Sequence, residues 1–185
     1  MTSPAGSDSP SPKQISVILV DDDLIVRAGL GVWCHRASDI VVLAEWGWQD
    51  LSVARLQTVI AIDGNEDDGT ATSSQTPQTV LVLGENGVEI TNPTLEPMVQ
   101  SIGQTYPQLA LVGLGYHCTG EKRDRLHQLG LRGYGLKTSD PDTLLQMIRQ
   151  VASGKSVWPE SRSVPRASVP STPTNWDEVR PFALV

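Results

Sequence analysis

The feature that most constrains this chain is the run Ile15-Ser-Val-Ile-Leu-Val-Asp-Asp-Asp23, six mostly apolar residues ending in three carboxylates. Ile, Val and Leu without strict alternation read as a strand buried on both faces, which requires a sheet with helices on either side. Three acids at its C-terminal end would repel one another strongly in a low-dielectric setting. A divalent cation is one remedy, and hard oxygen ligands with room for water suit Mg²⁺. Ligands of open α/β sheets sit just outside the carboxyl ends of the strands, where these acids lie. The alternative is a solvated strand-to-helix turn in which Asp23 caps the next helix.

Composition narrows the setting. The chain has 185 residues, a length for one domain plus loops or a tail, and its 39% hydrophobic content suggests that part of it is not packed. A net charge of −7 argues against a nucleic-acid surface spread over this segment. Cys34 and Cys118 lack metal-type or CxxC spacing and read as reduced thiols of a cytoplasmic protein. The Ser/Pro-rich start is not a signal peptide, and the apolar runs are strand-sized rather than membrane-spanning.

The chain then alternates. Residues 1–14 read as a disordered lead-in. Strands are predicted at 15–20, 40–44, 79–83, 109–114 and 131–136, and helices from Leu24 to Cys34, from Trp48 to about Ile62, and over 94–105, 121–129 and 141–153. Pro141 suits a first helical turn and Gly154 a stop. The acidic, then polar stretch 63–78 reads as a loop inserted in a domain spanning 15–158, and 159–185 as a Pro/Ser-rich linker or tail. Five strands alternating with five helices imply a doubly wound parallel sheet. The ending Asn175-Trp-Asp-Glu-Val-Arg-Pro-Phe-Ala-Leu-Val185 is more apolar and aromatic than the linker before it, suiting a docking peptide or the opening of another domain.

At this point the residues resemble a family. Val20-Asp-Asp-Asp-Leu-Ile-Val-Arg-Ala-Gly-Leu30, then Ser38-Asp-Ile-Val-Val-Leu-Ala-Glu45, is similar to the start of a response-regulator receiver domain. The closest subfamily is the one that precedes a LuxR/NarL-type helix-turn-helix. Gly130-Leu-Arg-Gly-Tyr-Gly-Leu-Lys137 followed by Pro141–Gly154 resembles that family's last strand and helix. The resemblance implies a flavodoxin-like (βα)5 sheet of strand order 2-1-3-4-5. It implies that Asp21 and Asp22 are the acidic pair for Mg²⁺, Lys137 the lysine that pairs with a phosphoryl group, and Tyr134 the aromatic residue whose rotamer reports activation.

The site so implied is incomplete. Receivers transfer a phosphoryl group to an aspartate at the end of the third strand, and Thr79-Val-Leu-Val-Leu-Gly-Glu85 contains none. Leu83 aligns with the acceptor, with Gly84 and Glu85 as register variants, and neither leucine nor glycine has an oxygen to phosphorylate. Glu85, if it points into the pocket, would supply a permanent negative charge. The switch hydroxyl at the end of the fourth strand falls on Gly115. A rival alignment reads Thr58–Asp63 as the third strand with Asp63 as acceptor, but it shortens the second helix and leaves 79–83 without a place in the five-strand count.

His117-Cys118 is too small a cluster for a metal or redox site, and a loop position explains it. Trp33 suits core packing, whereas Trp46 and Trp48 suit a partly exposed surface. No phosphate-cradling loop follows the first strand, which argues against a flavin.

Three functions follow. The first is a degenerate receiver, not an enzyme, acting by protein contact without phosphorylation, its interface the face around Tyr134 and the last helix. The second is the regulatory half of a DNA-binding regulator whose output domain lies beyond residue 185, the segment itself touching no nucleic acid. The third is a conventional receiver using Asp63. The implied partners are proteins: a histidine kinase, an output domain or a second copy of the chain.

Overall fold

The apolar runs form one parallel sheet. The computed structural model describes residues 14–63 and 79–159, so the expected lead-in, the 63–78 insertion beyond its first residue and the tail after Pro159 lie outside the described residues. The strands are β1 (Ile15–Val20), β2 (Ile40–Trp46), β3 (Thr79–Gly84), β4 (Ala110–Gly115) and β5 (Leu131–Leu136). The helices are α1 (Leu24–Arg36), α2 (Val53–Asp63), α3 (Glu96–Thr105), α4 (Gly120–Gln128) and α5 (Pro141–Ala152). All strand pairs are parallel, and the order is β2-β1-β3-β4-β5, as expected.

Side chains of a strand alternate between its faces, so the sheet separates two cores. Val17, Leu19, Val80, Val82, Val112 and Leu114 pack with Leu30 and Cys34 of α1 and with Leu144, Ile148 and Val151 of α5. Ile18, Val20, Leu81, Leu83 and Leu111 pack on the other side with Leu56, Val99, Ile102 and Leu126 from α2, α3 and α4. This two-sided burial is why the strands read as continuous apolar runs. Burial pushes the Cys34 thiol up to about 11, with nearby Glu45 adding to the shift, so it stays protonated and inert near neutrality.

Helix ends follow their caps. Asp23 accepts from the backbone N–H groups of Ile25 (3.1 Å) and Val26 (3.2 Å), the cap expected of it. Asp140 caps α5 in the same way through Thr143, and Pro141 occupies the first turn. Gly154, at φ +87°, ends α5 in the left-handed region that a side chain would disfavour. Arg149 of α5 makes a two-pronged contact with Asp39 in the α1–β2 turn (2.7 and 2.9 Å), and that hydrogen bonding holds the Asp39 carboxyl below its usual range.

The structure revises one predicted element. Instead of a helix from Trp48, a single 3₁₀ turn spans Trp48–Asp50, and α2 begins at Val53. Thr58–Asp63, the rival third strand, lies within α2, so Asp63 ends a helix and not a strand. The rival alignment therefore loses the strand that would carry its acceptor. No described helix is long and apolar enough to cross a membrane.

Ile148 is fully buried beneath the sheet, whereas Val88 is 46% exposed. Ile148→Ala is expected to cost about 2–5 kcal/mol through lost contacts and a residual cavity. Val88→Ala should stay within about 0.5 kcal/mol, both read from urea unfolding midpoints at constant slope.

Candidate functional site

The carboxyl ends of β1, β3 and β5 meet at Asp21. Its side chain is 4% exposed and lies 2.7 Å from the Nζ of Lys137, which is wholly buried. Asp21 Oδ1 accepts the Asp23 N–H at 2.8 Å, and the Asp21 carbonyl accepts from Arg27. Burial raises the Asp21 carboxyl above its ordinary range, and the Lys137 contact and the Asp23 N–H pull it part of the way back. Asp21 Oδ2 and Lys137 Nζ have no hydrogen-bond partner beyond this close charge contact among the described residues. The Lys137 ammonium also lies 5.5 Å from the centre of the Tyr116 ring.

Strand register decides what faces this pair. Val20 stands beside Leu83, which places Asp21 beside Gly84. Leu83 is wholly buried in the core against α2, α3 and α4, the side of the sheet away from Asp21. The β3 position that faces Asp21 is thus Gly84, one of the two register variants, and not Leu83, whose side chain lies on the opposite face. A Cβ on Gly84 would overlap the Asp21 carboxylate, so Asp21 occupies the space where a side chain from β3 would project.

Glu85, one residue on, points to the other face and stays out of this pocket. It is 6% exposed and accepts from the Tyr134 hydroxyl at 2.5 Å, from Lys122 Nζ at 2.6 Å and, through Oε1, from the Ile90 N–H at 2.9 Å. Lys122 Nζ also reaches Glu89 at 3.0 Å. Gly113 and Gly115 make room for the tyrosine: a Cβ on either would press on its ring or hydroxyl. Tyr134 therefore points inward, 2% exposed, and burial, then its bond to Glu85, pushes its hydroxyl well above the ordinary range. The glycine at 115 is more than a missing hydroxyl, because it creates the seat for the tyrosine.

The 3₁₀ turn closes the acidic pocket from the side. The Trp48 N–H donates to Asp22 Oδ1 at 2.8 Å, and its indole N–H donates to the Gly84 carbonyl at 2.7 Å. Mg²⁺ would need open oxygen ligands here. One Asp21 oxygen is held by a backbone N–H, the other faces Lys137, and one Asp22 oxygen is held by Trp48. No group of three or more His, Cys, Asp or Glu side chains suited to a metal occurs among the described residues. The donor set as arranged does not fit Mg²⁺, because the lysine already supplies the cation.

Sequence reading brought Asp21, Asp22, Lys137, Tyr134 and Gly115 to one end of the sheet, where the structure places them. It missed Arg27, the Trp48 latch and the Glu85–Lys122–Glu89 cluster. Asp63 is the last residue of α2.

Removing Lys137 strands a buried carboxylate. Lys137→Met is expected to cost about 3–5 kcal/mol at pH 7, and adding Asp21→Asn should recover most of it. Desolvation already raises the Asp21 carboxyl above 3.8, and without Lys137 it rises further. The folded variant then binds a proton before the unfolded chain does, so its stability falls as pH rises through that window. Acidifying Lys137→Met from pH 7 towards pH 5 should narrow its deficit relative to wild type, as measured by urea unfolding at each pH.

No protein-family model matches the sequence, and no curated protein matches it. Solved structures do. The isolated receiver domain of RcsB from Salmonella enterica serovar Typhimurium, solved with the phosphomimetic BeF3⁻, superposes with a TM-score of 0.58 at 19% identity, over 80% of this chain and 95% of that one. A LuxR-family two-component response regulator from Aurantimonas gives 0.56 at 19% identity, over 78% and 89%. The response regulator ChrA of a heme-sensing two-component system gives 0.52 at 21% identity over 78% of this chain, which spans only 59% of that one. The chain has the receiver fold, a flavodoxin-like sheet of order 2-1-3-4-5.

Proposed function

We propose that this domain is a receiver-type signalling module that works by protein contact without phosphoryl transfer. The observation that carries this reading is Gly84 against Asp21. The strand position facing the acid pair has no side chain, and the Asp21 carboxylate lies where a β3 side chain would project. A phosphoryl acceptor must present a nucleophilic oxygen there, and the neighbouring carboxylate of Glu85 is committed on the other face to Tyr134 and Lys122. The Asp21–Lys137 pair neutralises itself, which supports a pocket that needs no Mg²⁺.

With no covalent event to move it, Tyr134 is held inward by Glu85, Lys122 and the two β4 glycines. A buried hydrogen bond to a charged acceptor contributes roughly 1.5–3 kcal/mol, enough to favour one rotamer by more than tenfold. The face formed by β5, α4 and α5 is then set in one state, and a partner would read that state directly.

A second reading is the regulatory part of a DNA-binding regulator. It draws on the structures in which a receiver is one portion of a longer chain, including RcsB dimers bound to two parallel DNAs, of which this chain spans 65%. Both readings place the partner or output contact on the receiver fold and differ only in what is attached.

Incubating the full chain with Mg²⁺ and acetyl phosphate should leave its intact mass unchanged. A phosphoryl adduct on any aspartate, Asp63 included, would overturn the proposal.

A further inference from the structure

The outer edge of β5 is filled for part of its length and then left open. After α5 the chain turns back, and Val157 pairs in parallel with Gly133. The Val157 N–H donates to the Arg132 carbonyl and its carbonyl accepts from the Tyr134 N–H, both at 2.9 Å. Outward groups recur at every second residue of a strand, so the next pair along this edge is the Tyr134 carbonyl and the Leu136 N–H. Continued pairing would give both to residue 159. That residue is Pro159, which has no N–H for the Tyr134 carbonyl, so the chain cannot complete its own added strand. No described residue outside the sheet bonds either group. The Leu136 carbonyl beyond them accepts from the Ser139 N–H at 2.9 Å, which closes the edge from above.

A cavity of about 560 Å³ lies over this open pair. Its lining includes Tyr134, Gly135 and Leu136 of β5, Leu144 and Met147 of α5, and Trp158. Leu144 and Met147 belong to the core on the α5 side of the sheet, whereas Leu136 and Trp158 pack with the core on the other side. The cavity therefore straddles the sheet edge as a slot in the plane of the strands. Its lining carries one carboxylate, Asp142, and no lysine or arginine.

We propose that this slot binds a small, uncharged, planar molecule with an amide-type edge, a hydrogen-bond donor beside an acceptor as in a lactam. The donor meets the Tyr134 carbonyl and the acceptor meets the Leu136 N–H, the pairing that Pro159 leaves incomplete. Apolar side chains on both faces suit a flat ring, and the volume suits a small molecule. Phosphates and other anions are disfavoured, since Asp142 would repel them and no cation is there to hold them. An extended peptide is the wrong length. Between Val157 and the Ser139 turn the edge offers the hydrogen bonds of one residue, too few for an added strand.

A ligand here bonds the backbone of the same Tyr134 whose hydroxyl donates to Glu85. Occupancy is then felt on the strand that carries the proposed contact face, a role that rests on the proposed function. Binding itself does not, so the mass test and the test of this slot fail separately.

Amide NMR of the full chain titrated with carbostyril, a neutral bicyclic lactam, tests the slot. A probe of about a dozen heavy atoms binds in roughly the millimolar range. Saturable shifts are expected at the Leu136 and Val157 amides and at the side-chain amides of Gln146 and Gln150, which stand in the lining. N-methylcarbostyril keeps the ring and the acceptor but has no donor, and should bind about tenfold more weakly. Pro159→Ala supplies the missing N–H and lets the chain bond the Tyr134 carbonyl itself. It should weaken carbostyril about fivefold and leave the dispersion of the spectrum unchanged. Three outcomes would overturn the proposal: no saturable shift up to the solubility limit of the probe, shifts centred away from β5 and α5, or affinity unchanged by N-methylation or by Pro159→Ala.

Discussion

The arrangement at the carboxyl end of the sheet rests on one buried charge pair. Asp21 and Lys137 are almost completely removed from water and touch at 2.7 Å. Each alone would carry a heavy desolvation cost, and together they are tolerable only because each neutralises the other. The neighbours conform to that requirement. Gly84 yields its side-chain space to the Asp21 carboxylate, the Asp23 N–H takes one of its oxygens, and Arg27 binds its carbonyl. A lysine free to follow a mobile anion needs water or an alternative partner within reach. Lys137 is fully buried, with the Tyr116 ring beside it.

The opposite face repeats the logic with different residues. Glu85 and Lys122 are both buried, and the tyrosine hydroxyl completes the shell of the carboxylate. Because side chains alternate along β3, the adjacent residues Gly84 and Glu85 serve opposite faces. One faces the acid pair and contributes nothing but space. The other fixes the aromatic residue of β5. A single strand end thus serves two separate buried ionic clusters.

Much of this was legible in the sequence, for identifiable reasons. Val20-Asp-Asp-Asp23 marked a strand end, and Asp23 proved to be a helix cap while Asp21 turned inward. Which member of the Asp21–Asp22 pair turns inward could not be read in advance, since both are the same residue type. The strand order followed from the family resemblance of the two end motifs. The register at Leu83 did not, because Val-Leu-Val-Leu, buried on both faces, has no alternation to show which residues share a face with Asp21. The Trp48 latch was missed because apolar periodicity extended a helix back to Trp48, where Trp48–Asp50 form a short 3₁₀ turn. Glu85 and Lys122 lie 37 positions apart, and no local pattern joins them.

The two glycines of β4 have a packing role of their own. A hydroxyl-bearing residue at 115 would project into the Tyr134 hydroxyl and the Glu85 carboxylate. Introducing one would force the tyrosine out of its seat and leave Glu85 with only Lys122 and the Ile90 N–H as donors. Restoring a carboxylate at 84 would displace Asp21 from Lys137 and bring two anions together in a dry pocket. Neither change is easily accommodated, because the space beside each glycine is filled by a partner of a buried ionic contact. The buried ionic contacts at this strand end and the missing side chain at 84 therefore have the same structural cause.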